Sequence, residues 1–188
     1  MIPSEILERI VSRVEAAGIP YMVTGSLASG FHGPYRGTMD IDLVIRADAE
    51  KLREFARSLP RPGYYVDERA ALEALASEGM FNVVDNESGW KVDLIVRKSR
   101  PFSIAEFERR QSDDLFGVRV WVASAEDVVI SKLEWATLGE SRRQLEDVAG
   151  VLNFQGAALD LDYIGKWVAE LGLGDAWAEA RRIATSAA

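Results

Sequence analysis

Two carboxylates open an otherwise apolar run, DIDLVI, at residues 40–45. Successive side chains of a strand point to opposite faces, so Asp40 and Asp42 share one face while Ile41, Leu43 and Ile45 face the core. Two like charges this close repel each other, and burying either is costly unless a cation neutralises it. Carboxylate oxygens suit Mg²⁺, which takes waters and substrate phosphate oxygens as its remaining ligands. The run predicts a divalent-cation site on one face of a strand; the alternative is a pair of carboxylates at a solvent-exposed strand end.

A third carboxylate, Asp93, lies in a second run of the same kind, WKVDLIV, at residues 90–96. Its apolar residues form one face, and Asp93 stands on the other beside Lys91. If this run lies next to DIDLVI, three carboxylates could hold two Mg²⁺ ions and orient an attacking hydroxyl for in-line displacement at phosphorus. Taken alone, Asp93 also fits the open face of a hairpin.

Gly25-Ser26 follows a short apolar strand at residues 21–24 and supplies a place for phosphates. The glycine lets the backbone approach closely, the serine hydroxyl can donate, and a short helix over residues 27–31 offers free N–H groups to an anion. The pair also fits an ordinary turn and helix cap.

The surrounding elements alternate between helices and strands as far as residue 122, and helical patterns follow from Ser124 to the end. Turn residues in DNESG separate two β-type runs, 80–84 and 90–96, and predict an antiparallel hairpin. The further predicted elements are helices over residues 1–17, 48–58 and 68–77 and a strand over 118–122. The fold class expected is α/β (α+β), a mixed sheet flanked by helices. Residues 1–122 are expected to form the α/β core, and residues 123–188 a helical C-terminal segment packed on it.

Composition excludes several classes of function. The chain has 188 residues, a formal net charge of -8, no cysteine and one histidine, which excludes disulfides, thiolate zinc sites and a cysteine nucleophile. The acidic balance argues against a general nucleic-acid coat, although residues 97–119 carry six basic and four acidic residues, a net of +2, and a nucleic acid is still possible as a local substrate. Without a long apolar run or a signal-peptide pattern, we expect a cytoplasmic protein with no membrane association.

Taken together, these motifs resemble those of a known superfamily. Gly-Ser, a spacer, Asp-x-Asp and a later Asp on a strand form the signature of the nucleotidyltransferase superfamily that includes DNA polymerase beta. The wider segments GSLASGFHGPYRGTMDIDL, residues 25–43, and SAEDVVISKLEWATLGESRRQLEDVAGVL, residues 124–152, are most similar to the bacterial toxin-type nucleotidyltransferases of the AbiEii group and their uncharacterised relatives.

The resemblance implies a nucleotidyltransferase-type fold and a role for each matched residue. Asp40 and Asp42 would ligate two Mg²⁺ ions, for which Mn²⁺ is a possible substitute, and Asp93 would ligate one ion and help to deprotonate the acceptor. The residues implied to hold the triphosphate or face its charge are Gly25, Ser26, Arg36 and Lys132. The segment RRQLEDV departs from the Lys-Asp or Arg-Asp pair of the group, which leaves the roles of Arg143 and Asp147 open.

The function expected is Mg²⁺-dependent transfer of a nucleoside monophosphate from an NTP to a hydroxyl acceptor on a tRNA, a protein or a small molecule such as an aminoglycoside. A toxin role with a cognate antitoxin is implied only by the resemblance. The alternative is a catalytically inactive module of the same fold that binds nucleotide or a partner protein. A haloacid-dehalogenase-type phosphatase is disfavoured because its Asp-x-Asp follows a buried strand, whereas here the apolar strand follows the motif. A glycosyltransferase is disfavoured because it would leave Gly25-Ser26 and Asp93 unexplained.

Overall fold

The structure, a computed structural model, describes residues 3–186. The chain forms two compact units. A sheet unit contains the residues up to Thr24 together with Gly37–Val122, and a helical unit contains Gly25–Arg36 and the residues from Ala123 onward. The chain therefore passes between the units after Thr24, after Arg36 and after Val122. The division into residues 1–122 and 123–188 stays a prediction.

The sheet unit is built on a seven-stranded mixed sheet in the order β3-β4-β5-β2-β1-β7-β6. Two neighbouring pairs, β2 with β5 and β1 with β7, are parallel, and the remaining pairs are antiparallel. The strands are β1 Tyr21–Thr24, β2 Asp40–Ile45, β3 Tyr64–Val66, β4 Met80–Asp85, β5 Lys91–Val96, β6 Gln111–Leu115 and β7 Val118–Val122. The predicted hairpin of β4 and β5 is confirmed, and β5 lies next to β2, which is the condition under which the third carboxylate joins the first two.

Helices of the sheet unit begin where the sequence offers capping groups. Asp48 accepts a hydrogen bond from the Lys51 backbone N–H at 2.9 Å, and Asp67 does the same for the backbone N–H of Arg69, so each carboxylate satisfies a donor that the helix leaves open. The helices are α1 Pro3–Ala16, α3 Ala49–Ser58, α4 Glu68–Ser77 and α5 Pro101–Glu108. The sequence patterns predict the first three of these and miss α5.

The central strands bury one complete face. Ile41, Leu43 and Ile45 on β2 and Val92 and Leu94 on β5 have no exposed side-chain surface. Each such side chain stabilises the fold by roughly 1.5–3 kcal/mol relative to an exposed position. Because side chains alternate along a strand, this packing fixes the register and commits the carboxylates of both strands to the opposite face.

The helical unit contains α2, which lies early in the chain, and the C-terminal helices. Ser124 caps α6: its hydroxyl accepts from the Asp127 backbone N–H at 3.2 Å and donates to Asp127 Oδ2 at 2.6 Å. The helices are α2 Gly25–His32, α6 Ala125–Gly139, α7 Arg142–Gln155, a 3-10 turn Gly156–Ala158, α8 Leu161–Glu170 and α9 Gly174–Ser186. Within residues 3–186, every helix is too short or too polar to cross a lipid bilayer.

Candidate functional site

A row of polar residues crosses the sheet on the face opposite the buried one. Asp42 on β2 and Asp93 on β5 are Cα partners in the parallel register. On the outer sides of this pair, Thr24 of β1 stands opposite Asp42 and Asn82 of β4 stands opposite Asp93. Partners on neighbouring strands point to the same face. The two carboxylates predicted from separate sequence runs are therefore neighbours, and Thr24 and Asn82, which the sequence did not single out, extend their row.

Lys91 brings a positive charge to these carboxylates. It is the Cα partner of Asp40 on β2, and its Nζ lies 2.9 Å from Asp93 Oδ2 and 3.8 Å from Asp40 Oδ1. The hydrogen bond to Asp93 is the main reason why the pKa of Lys91 is raised above its ordinary value. The Asp93 side chain is 9% exposed, whereas that of Asp40 is 55% exposed. The ammonium thus lies between two of the three predicted metal ligands.

One carboxylate oxygen of this row is placed to accept a divalent cation. Asp93 Oδ1 is buried and has no hydrogen-bond partner, and an unsatisfied buried acceptor is costly, more so on a charged group. A cation held by Asp93 and Asp42 would satisfy that oxygen with the hard ligands that Mg²⁺ prefers. Among residues 3–186, however, no group of three His, Cys, Asp or Glu side chains is gathered closely enough to hold a metal ion. The site as it stands is a carboxylate pair with Asp40 nearby, and the two-ion arrangement stays a prediction.

In the helical unit, Gly25 and Ser26 form the first turn of α2. Gly25 has φ +62°, a left-handed conformation that glycine adopts without the Cβ clash of other residues. Ser26 Oγ accepts a hydrogen bond from Arg36 Nη2 at 3.2 Å. This brings two of the predicted phosphate-binding side chains into contact.

Arg36 and Lys132, both predicted to face a triphosphate, converge on Asp147. Arg36 binds the Asp147 carboxylate through Nε and Nη2, each at 2.7 Å. Lys132 Nζ lies 2.7 Å from Asp147 Oδ2 and donates to Gln144 Oε1 at 2.9 Å. Arg36 and Lys132 therefore share one carboxylate. The role of Asp147, left open by the sequence, is to anchor both cations, while Arg143 is exposed.

Burial differs sharply between the two cations. The side chain of Lys132 is 4% exposed and that of Arg36 is 29% exposed. Burial by itself would raise the pKa of the Asp147 carboxyl, but the hydrogen bonds from Arg36 and Lys132 outweigh it, and the pKa is lowered. Of the two, Arg36 is the one with surface left to meet an anion, and the predicted contact of Lys132 with a triphosphate stays a prediction.

Two glycines, Gly33 in the loop before Arg36 and Gly150 on α7, let this loop pack closely on the helix. A Cβ on Gly33 would lie 3.1 Å from the Val151 backbone N, and a Cβ on Gly150 would lie 3.0 Å from Pro34 Cδ. Gln155 Nε2 donates to the His32 carbonyl at 2.8 Å. Residues 33–36 of the Gly/Pro spacer therefore pack on α7 and bring Arg36 to Asp147.

Known structures share this fold. The chain is similar to the solution structure of the antibiotic-resistance factor ANT(2'')-Ia, with a TM-score of 0.56 and 13% identity over 95% of this chain and 95% of that one. It is also similar to the crystal structure of ANT(2'')-Ia in complex with adenylyl-2''-tobramycin, with a TM-score of 0.58 and 14% identity over 89% of this chain and 97% of that one.

A third similar structure is that of an antigenic nucleotidyltransferase-like protein from Paracoccidioides brasiliensis, with a TM-score of 0.53 and 16% identity over 94% of this chain and 91% of that one. No protein-family model and no curated protein matches the sequence. The similarity of the solved structures confirms the predicted fold class, a mixed α/β sheet with flanking helices of the nucleotidyltransferase type.

Proposed function

We propose that the protein is a nucleotidyltransferase that transfers a nucleoside monophosphate from an NTP to a hydroxyl acceptor. The observation that carries the proposal is the register of β2 and β5, which makes Asp42 and Asp93 neighbours on the face of a nucleotidyltransferase-type sheet that lies opposite its packed apolar face. One of their oxygens is buried without a partner. In a sheet with only a structural role, apolar residues would cover this face at a lower free-energy cost than buried carboxylates.

In the proposed reaction, an acceptor hydroxyl oxygen forms a bond to the α-phosphorus while the bond from that phosphorus to the oxygen bridging to the β-phosphorus breaks. Pyrophosphate leaves with the electron pair of the broken bond. Asp93 helps to take up the hydroxyl proton. A bound Mg²⁺ would be held by Asp42 and Asp93, with Asp40 as the further ligand, and would supply charge neutralisation at the phosphates.

The triphosphate has its own candidate partners in the helical unit. Ser26 presents a hydroxyl in the first turn of α2, where free backbone N–H groups also favour an anion. Arg36 is held at Ser26 Oγ by its hydrogen bonds to Asp147. We assign both residues to the phosphates, and we assign Lys132 to holding the Asp147 carboxylate in place.

Further details of the proposal concern the acceptor and the biological role. ANT(2'')-Ia, in the similar structure, is in complex with adenylyl-2''-tobramycin, which supports a small amino sugar as one acceptor to try; a tRNA or a protein side chain are the others. The AbiEii-type relationship, with a toxin role and a cognate antitoxin, is supported by the segment at residues 124–152.

The test is transfer of label from NTPs carrying ³²P at the α or the γ position, in Mg²⁺, to tobramycin, to total tRNA and to the protein itself. Transfer of the α label without the γ label to one acceptor, abolished by Asp42→Asn, is the expected result. Transfer of the γ label would contradict the proposal, since it would indicate a kinase reaction.

A second candidate function is a nucleotide-binding module without catalysis. One observation favours it: in residues 3–186 the carboxylates do not form a ready three-ligand group, and a lysine occupies the space beside two of them. Nucleotide binding with no transfer of the α label to any of the three acceptors would support this candidate.

A further inference from the structure

Lys91 is placed to compete with a metal ion for its ligands. It lies two residues before Asp93 on β5 and so shares its face of the sheet, and the register of β2 sets Asp40 opposite. Its ammonium reaches Asp93 Oδ2 at 2.9 Å and Asp40 Oδ1 at 3.8 Å. The same two carboxylates are the ones proposed above to ligate a divalent cation together with Asp42.

The ion pair with Asp93 stabilises a charge that is expensive to bury. A buried carboxylate whose partner is removed is strongly destabilising, and Asp93 is among the buried charged residues of the chain. Lys91 compensates this charge in the absence of metal. A cation binding at the same oxygens would meet the ammonium within a few ångströms, where like charges repel.

The lysine is also able to leave. Its side chain is 41% exposed, and a lysine carries its charge on a flexible four-carbon stem. A triphosphate arriving with a metal ion would offer the ammonium a new anionic partner, so the lysine could give up the carboxylates without losing its own compensation.

We propose that Lys91 competes with a metal ion for these carboxylates. It neutralises Asp93 and Asp40 when no metal is bound and must be displaced from them when a metal ion enters, so that a metal ion without nucleotide binds weakly. This inference rests on the proposed function, because it assumes that these carboxylates are metal ligands. It assigns to Lys91 control over metal occupancy, which the carboxylate motif alone does not provide.

The test is the affinity of the purified protein for Mn²⁺ alone, measured by the paramagnetic resonance signal of the free ion. Lys91→Met is expected to raise the Mn²⁺ affinity by about tenfold, because it removes a positive charge at contact distance from the ligands. Lys91→Arg, which keeps the charge, and Lys98→Met, which removes the same charge from an exposed position on the sheet unit, are expected to leave the affinity within about twofold of the wild type.

Thermal unfolding provides a second readout. Without metal, Lys91→Met should unfold at a lower temperature than the wild type, and saturating Mn²⁺ should raise its unfolding temperature by more than it raises that of the wild type. If Lys91→Met does not fold, Lys91→Gln, which can still donate to Asp93, takes its place in both measurements.

The outcomes separate this inference from the proposed function. Mn²⁺ binding that is equal or weaker in the Lys91 variant overturns the competing role while leaving the metal site in place. No Mn²⁺ binding by any of the proteins overturns both the competing role and the metal-dependent part of the proposed function.

Discussion

Asp93 is the single residue that most strongly indicates a cation site, since one of its oxygens contacts Lys91 and the other is buried without a partner. Asp42 stands beside it and Asp40 lies one step further along the same face. Sequence alternation predicted which face these carboxylates share. The sequence also placed Lys91 beside Asp93 on this face, but the ion pairs of Lys91 could not be predicted, because a lysine two residues before an aspartate is equally common at solvent-facing positions.

Asp42→Asn tests the pair directly. The change removes one negative charge but little volume, so we expect an unchanged thermal unfolding temperature and loss of Mg²⁺-dependent transfer. Label transfer and thermal unfolding, measured on the same preparation, check both parts. Retained transfer in a folded Asp42→Asn protein would remove Asp42 from the metal site.

Ser26→Ala tests the phosphate assignment. Loss of a hydrogen bond to a charged group should weaken NTP binding by about 1.5–3 kcal/mol, as measured by calorimetry. Ser141→Ala is the matched control, because Ser141 precedes α7 without a side-chain capping bond. Equal affinities in the two variants would return Ser26 to the role of an ordinary residue in the first turn of α2.

At the scale of elements, most strands and helices of the sheet unit follow from local patterns, whereas three were missed for local reasons. The strand β6 has the sequence QSDDL, whose aspartates are depleted in strands; it forms because Phe116 and Gly117, both with positive φ, make a tight hairpin to β7. The strand β3 has only three residues, and α5 begins at a proline without a side-chain cap. None of these errors affects the strands that carry the carboxylates.

The contact between the Gly/Pro loop and α7 gives a prediction at this scale. A Cβ in Gly150→Ala would lie 3.0 Å from Pro34 Cδ, so the loop must shift, at a cost of about 1–3 kcal/mol for overpacking. The displaced loop should also move Arg36 and weaken NTP binding. Denaturant unfolding and calorimetry measure the two effects.

Gly165→Ala on α8 is the control, since a Cβ there meets nothing within 4 Å. It should stabilise the protein by up to about 1 kcal/mol through helix propensity and leave NTP binding unchanged. A Gly150→Ala protein as stable as the Gly165→Ala protein would show that the loop is not tightly seated on α7.

Over the whole molecule, the sequence did not reveal which charged residues pair with partners far away along the chain. Arg36 and Asp147 are 111 residues apart, and no local pattern links a loop arginine to a carboxylate in the middle of a distant helix. The fold class could be predicted because Gly-Ser, Asp-x-Asp and the third Asp each lie at the end or on one face of a recognisable strand. The partners of Arg36 and Lys132 required the three-dimensional packing of α2, α6 and α7.

The cluster around Asp147 predicts an acid dependence of stability. Because the pKa of Asp147 is lower in the folded protein than its ordinary value of 3.8, the unfolded chain binds the proton more tightly. The stabilisation is therefore fully present above the ordinary value and is lost as the pH falls through the lower folded value.

Asp147→Asn should consequently reduce stability near pH 7 and flatten the acid limb of a denaturant-derived stability curve as the pH falls below the ordinary pKa of 3.8. Asp162→Asn, which removes the same charge from an exposed position on α8, should leave that limb intact. An unchanged acid limb in Asp147→Asn would mean that the cluster does not contribute to folding.

If the carboxylates of β2 and β5 form a metal-dependent nucleotide site, calorimetric titration of ATP, GTP, CTP and UTP into the purified protein should reveal it. The titrations are made with Mg²⁺ and with a chelator, on the wild type and on Asp42→Asn. At least one NTP is expected to bind the wild type in Mg²⁺, and chelation and Asp42→Asn are each expected to abolish or strongly weaken this binding. If no NTP binds, or if NTP binding depends on neither Mg²⁺ nor Asp42, these carboxylates do not form a metal-dependent nucleotide site.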